Sequence, residues 1–109
     1  MDWIEIIHLR SHSHRDKEEA LTAFHNLSQP IRIHRLLNVT LYQSQTVGND
    51  LSIFIHWRGS PSREGKSPLG LQLAAAFSEF GHISHFVWVH ESSLFNEQRR
   101  QNDDIQSLA

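Results

Sequence analysis

The stretch SIFIHWRG (residues 52–59) decides how this chain folds. A strand with one face in a core and one in water alternates apolar and polar residues. Here both parities carry large apolar groups. Ile53, Ile55 and Trp57 point one way, while Phe54 and His56 point the other. A strand of this kind needs cover on both of its faces.

Upstream, Val47-Gly48-Asn49-Asp50 reads as a turn, so the strand 51–58 folds back on the segment 31–45 as a hairpin. In that segment Ile33, Leu37, Val39 and Leu41 share one face, and His34, Asn38, Thr40 and Tyr42 share the other. Before it comes a helix. Asp16 and Glu19 have the spacing of a capping box, and Ala20, Leu21, Phe24 and Leu27 form an apolar stripe. Gln29-Pro30 ends that helix, because the residue before proline is pushed out of the helical region. The chain opens on WIEIIHLR (residues 3–10), a short Ile-rich strand.

Downstream, GSPSREGKSP (residues 59–68) is a loop. Ser67 and Pro68 supply the cap and first turn of a second helix. Its buried face is Leu69, Leu73, Ala76, Phe77 and Phe80, with Gly81 as its stop. ISHFVWVH (residues 83–90) is the last strand. The order strand, helix, strand, strand, helix, strand predicts an α+β fold, the ferredoxin-like βαββαβ plait. Its four-stranded antiparallel sheet has spatial order 4-1-3-2 and carries both helices on one face.

The chain has 109 residues, enough for one domain, here placed at 1–93 with a polar C-terminal tail at 94–109. Hydrophobic residues make up 39% and charged residues 20%, as in globular chains. A formal charge of −2 offers no basic surface for nucleic acid, and no apolar run is long enough to span a membrane. The N-terminus lacks the pattern of a signal peptide, and with no cysteine there is neither disulfide nor thiolate chemistry. A cytoplasmic location is expected. Nine histidines make the charge sensitive to mildly acidic pH.

Two helices cover one face of the sheet. The other face presents Ile4, Ile6, Phe54, Phe86 and Trp88. Each such side chain gains roughly 1.5–3 kcal/mol on burial, so a second copy packed sheet to sheet is expected, a homodimer through the open face.

A βαββαβ domain of this length with doubly apolar strands over residues 3–90 resembles the dimeric α/β-barrel superfamily, and within it the antibiotic biosynthesis monooxygenase-like proteins. The resemblance implies closure of two plaits into an α/β barrel. Members of the group include cofactor-free oxygenases of aromatic polyketides, haem-degrading enzymes and isomerases. The haem-degrading branch carries an Asn on its first strand, and this chain has none there.

The strand order brings His34, Asn38, His56, Arg58 and His90 toward one end of the open face, beside Trp88, with Tyr42 and His8 toward the other end. Polar groups within aromatic walls suit a small-molecule site. In an enzyme of this kind His56 or His90 would act as base, and Arg58 would stabilise an enolate-type anion. His34, Asn38, Phe54, Trp88 and Tyr42 would hold a small aromatic substrate. No cofactor and no metal is expected, since no ligand spacing supports one. Neither a serine–histidine–acid set nor a carboxylate pair can be placed. His12 and His14 are expected in solvent, as are Arg63 and Lys66, while Trp3, Trp57 and His85 have the parity of the helix-covered face. Two functions follow. One is a cofactor-independent monooxygenase-like enzyme, and the other is a non-catalytic dimeric ligand-sensing or accessory domain.

Overall fold

The computed structural model describes residues 2–28 and 32–95. Strand β1 (Asp2–Ser11) is followed by α1 (His14–His25), β2 (Leu36–Gln43), β3 (Asp50–Arg58), α2 (Pro68–Phe77), a 3-10 turn (Ser78–Phe80) and β4 (Gly81–Val89). The strands form one antiparallel sheet in the order β2-β3-β1-β4, the expected plait. Of the proposed tail, residues 96–109 lie outside the described residues.

Strand parity sorts the side chains. Trp3, Ile7 and Leu9 of β1 face the helices, with Leu51, Ile53, Ile55 and Trp57 of β3. There they meet Ala20 of α1, Leu73 and Phe77 of α2, and Phe80. The rings of Trp3 and Trp57 stack with centroids 5.6 Å apart. Both tryptophans are therefore core, as their parity predicts.

Helix α1 is capped one turn earlier than expected. Ser13 is the N-cap, its Oγ accepting from the Asp16 N–H, while Asp16 is the acid at the third helical position. Of the predicted stripe, Ala20 is buried, Leu21 and Phe24 are half-buried and Leu27 is exposed. Helix α2 starts as read, with Ser67 as cap and Pro68 in the first turn.

Strand β2 is shorter than its alternation suggests. Arg32 and Arg35 adopt the left-handed region, with φ of 63° and 68°, and a chain so bent cannot continue an extended strand. The strand begins at Leu36, and a bulge between Leu36 and Asn38 makes Leu37 the extra residue. Leu36 thereby turns to the core and Leu37 to solvent. Asn38, Thr40 and Tyr42 then keep the open face.

Gly81 opens β4 rather than merely stopping the helix. Any Cβ there would lie 2.1 Å from the Arg10 carbonyl oxygen, so the backbones of β1 and β4 approach as closely as they do because no side chain intervenes. Gly81→Ala should destabilise the fold by about 1–3 kcal/mol or more in thermal or urea unfolding, since the clash is with backbone and cannot relax. A loss under a few tenths would contradict this packing.

Candidate functional site

The helix-covered face holds one buried charge. Glu5 shares the parity of Trp3 and Ile7 and is fully buried. Trp57 Nε1 donates to its Oε1 at 2.9 Å, and the Ser67 N–H donates to Oε2 at 3.1 Å. The Ser67 hydroxyl donates to Oε1, and His85 Nε2 lies 2.8 Å from Oε2. The carboxylate thus sits at the N-terminus of α2, where amide donors and the helix dipole favour negative charge. Gly70 makes the approach possible, because a Cβ there would fall 2.2 Å from Glu5 Oε2. His85 faces the helices as its parity implies. Glu5 was legible only as an acid interrupting an apolar parity.

The open face is set by register. Across the sheet one row reads Asn38, His56, Ile4, Trp88; the next reads Thr40, Phe54, Ile6, Phe86; the third reads Tyr42, Ser52, His8, Ser84. Ile4, Ile6, Phe54, Phe86 and Trp88 therefore form a continuous apolar belt. Phe86 and Trp88 remain 46% and 57% exposed.

The structure brings some of the predicted site residues together and leaves others apart. Asn38 and His56 are register partners, and Phe54 stands beside His56 with ring centroids 6.3 Å apart. Trp88 joins that row on the far side of Ile4. Arg58 lies one position beyond, paired with Asp2 and exposed. His34 precedes β2 and His90 follows β4, both exposed, and His90 Nε2 lies 2.8 Å from Ser93 Oγ. Tyr42 belongs to the opposite end, where its ring meets Phe54 edge-on with centroids 4.9 Å apart.

That opposite end carries a polar set that sequence reasoning missed. His8 Nδ1 is 3.2 Å from Ser52 Oγ, and His8 Nε2 is 3.0 Å from Asp50 Oδ2. Arg10 reaches both Asp50 oxygens, Nε and Nη2 each at 3.2 Å. A serine–histidine–acid chain therefore exists after all. His8 faces Ser52 and Arg10 faces Asp50 across the β1–β3 pair, and the His8–Asp50 contact is diagonal. Hydrogen bonding from Arg10, helped by its charge and by His8, holds the Asp50 carboxyl below the usual carboxylate range. A hollow of about 360 Å³ opens here, bounded by His8, Ser52, Asp50, Tyr42 and Phe54.

A larger cleft of about 500 Å³ lies on the helix side, between α1, α2 and β2. Phe24, Leu27, Val39, Leu69 and Leu73 line it, with His25 and Gln72 as polar groups. Its sequence signal is Leu27, a stripe residue left 43% exposed. Among the described residues no three histidine or acidic side chains are grouped to hold a metal ion. His12 and His14 are exposed, and so are Arg63 and Lys66. No helix among the described residues is long and apolar enough to cross a membrane.

No protein-family model matches the chain, and no curated protein matches it. Solved structures do. A candidate antibiotic biosynthesis monooxygenase from Deinococcus radiodurans aligns with a TM-score of 0.62 at 13% identity, over 86% of this chain and 97% of that one. SnoaB, a cofactor-independent oxygenase from Streptomyces nogalater, aligns with a TM-score of 0.53 at 16% identity, over 87% and 98% of the two chains. The chain has the fold of the antibiotic biosynthesis monooxygenase-like proteins. A variant of SnoaB gives the same result, with a TM-score of 0.54 at 15% identity. At such identities the monooxygenase-like likeness is one of fold, and the side chains must carry any further argument.

Two measurements test the polar sets within this monooxygenase-like fold. Glu5→Ala should cost about 3–5 kcal/mol, because it strands buried donors. In that background Gly70→Ala should become far less costly than in the wild type, since Glu5 supplies the nearest obstacles to a Cβ there. Additive losses in the double-mutant cycle would refute the contact. The second concerns pH. Because the folded-state pKa of Asp50 is lowered, its contribution is present above the unfolded value of about 3.9 and is lost as pH falls through the folded value. Asp50→Asn should therefore lower stability at neutral pH, and its difference from the wild type should shrink in urea titrations below about pH 4.

Proposed function

We propose that this protein is a small-molecule-handling dimeric α/β barrel, a cofactor-independent monooxygenase-like enzyme acting on an aromatic substrate. The observation that carries the reading is the apolar belt of the open face, with the Phe86 and Trp88 rings exposed and polar side chains at both ends. A second copy, packed sheet to sheet, covers the belt and encloses a chamber. The substrate ring lies against Phe54 and Trp88, with Asn38 beside it and Tyr42 toward the far end. His34 and His90 stand at the rim, flanking the mouth.

His56 is the base of this reading. It is half-buried, projects from a central strand and lies two residues from Arg58, on the same parity. Transfer of a substrate C–H proton to its imidazole leaves an enolate-type anion, which Arg58 steadies by charge. Its carbon adds dioxygen to give a peroxide, which takes the proton back from His56 and loses water to leave a carbonyl, the substrate itself being the reductant. The fold shared with SnoaB, itself a cofactor-independent oxygenase, supports this choice over other small-molecule chemistry.

Light scattering tests the assembly, and oxygen uptake tests the chemistry. The wild type should be a dimer at micromolar concentration, and Trp88→Asp should give monomer or aggregate. With a dihydroxynaphthalene as substrate and a chelator present, the wild type should consume oxygen, and His56→Gln should lower kcat by about 10²–10⁴-fold. A dimer that binds the naphthalene compound without consuming oxygen would instead support a ligand-sensing or accessory domain. A folded wild-type monomer would remove the barrel reading.

A further inference from the structure

The Ser52–His8–Asp50 chain has the composition of a nucleophilic triad, but its surroundings argue for different chemistry. Acyl transfer needs free N–H donors where an oxyanion develops. Ser52 lies within β3, which is paired on both sides, to β1 and to β2, so its neighbouring amides belong to the sheet ladders. The arrangement instead leaves an imidazole with one nitrogen committed and the other available. Nε2 faces the Asp50 carboxylate at 3.0 Å. With the ring proton on that side, Nδ1 carries a lone pair that faces the Ser52 hydroxyl at 3.2 Å.

We infer that His8, aligned by Asp50, is a proton-accepting site for a ring compound bearing an acidic O–H or N–H, bound in the hollow beside Tyr42 and Phe54. Three observations carry this. The His8 side chain is 31% exposed, so a ligand can reach it, whereas Asp50 is only 6% exposed. Tyr42 and Phe54 meet edge-on at the same hollow and give a ring two aromatic surfaces. Arg10 clamps both oxygens of Asp50, which fixes the direction of its carboxylate and hence of the imidazole.

The step balances without a further reactant. The ligand O–H bond breaks, its electron pair stays on oxygen, and the proton forms a bond to His8 Nδ1. The ring compound becomes an anion, and the imidazolium faces the Asp50 carboxylate. Ser52 acts as a placeholder whose hydroxyl the ligand displaces. Asp50, held ionised by Arg10, is a positioning residue. The site shares Phe54 and Tyr42 with the proposed chamber but has its own base, since His56 lies four residues along β3 from Ser52 and toward the other end of the sheet. It is also complete in one chain. Its phenolate readout is separate from oxygen uptake, so either reading can fail without the other.

4-Nitrophenol is the probe, because its anion absorbs visible light and its neutral form does not. At a pH where the free compound is mostly neutral, adding wild-type protein should raise the phenolate band saturably. His8→Gln should abolish the band and weaken binding at least tenfold. Asp50→Asn should reduce the bound phenolate fraction several-fold, and Ser52→Ala should retain it while binding equally or more tightly. Circular dichroism confirms that each variant is folded, and Ser52→Ala serves as the reading where Asp50→Asn unfolds. A band that persists in His8→Gln would mean that Arg10 alone attracts the anion and would overturn the assignment. So would binding of the neutral form only, no binding at all, or loss of the band in folded Ser52→Ala.

Discussion

A carboxylate with no access to water stands in the middle of β1, and four donors from three other elements converge on it. Removing a charge from water costs several kcal/mol unless hydrogen bonds replace the lost hydration. Glu5 obtains them from Trp57 on β3, from the amide and hydroxyl of Ser67 at the start of α2, and from His85 on β4. An apolar core constrains volume but not direction. A buried carboxylate constrains both, because only one placement of α2 puts Ser67 and the side-chain-free flank of Gly70 against it. Helix α2 is thereby pinned at its N-terminus, and with it the Leu69 and Leu73 wall of the helix-side cleft.

Pinning the helices to one face leaves the other face to the strands alone. The same alternation that puts Ile53, Ile55 and Trp57 in the core puts Phe54 and His56 outside it, beside Ile4 and Ile6. The sheet thus divides two environments. The helix side holds the packed core and a fixed charge, with a cleft at its α1–α2 edge, while the open side has an apolar centre with polar residues at its two ends.

The order of elements, the strand order and the faces of Trp3, Ile4, Ile6 and residues 53–57 were legible in the sequence, because periods of two and near four survive without knowledge of partners. What was not legible depended on local backbone or on register. His34 has the parity of Asn38 only if β2 runs straight, and the left-handed arginines and the bulge at Leu37 break that count. His90 falls just past the end of β4, within the one or two residues by which strand ends commonly vary. The contact of His8 with Asp50 requires β1 and β3 to be aligned to the residue, since a slip of one would send either side chain to the other face. Glu5 reads as a mistake in an apolar strand until its donors are placed around it.

Two histidine–carboxylate pairs consequently flank β1, one on each face, and solvent access separates their uses. In the first, His85 is 5% exposed, Glu5 is wholly buried, and the carboxylate is surrounded by donors that also hold a helix. No bound molecule could exchange a proton there without dismantling the packing of α2. In the second, the carboxylate is nearly as buried, but its histidine is only half-buried and borders a hollow lined by two aromatic rings. Arginine takes the place of the helix terminus in holding the acid. The chemical pair is the same in both. On the helix side it serves only to specify the fold, and on the open side the second imidazole nitrogen meets only a serine hydroxyl beside an open hollow.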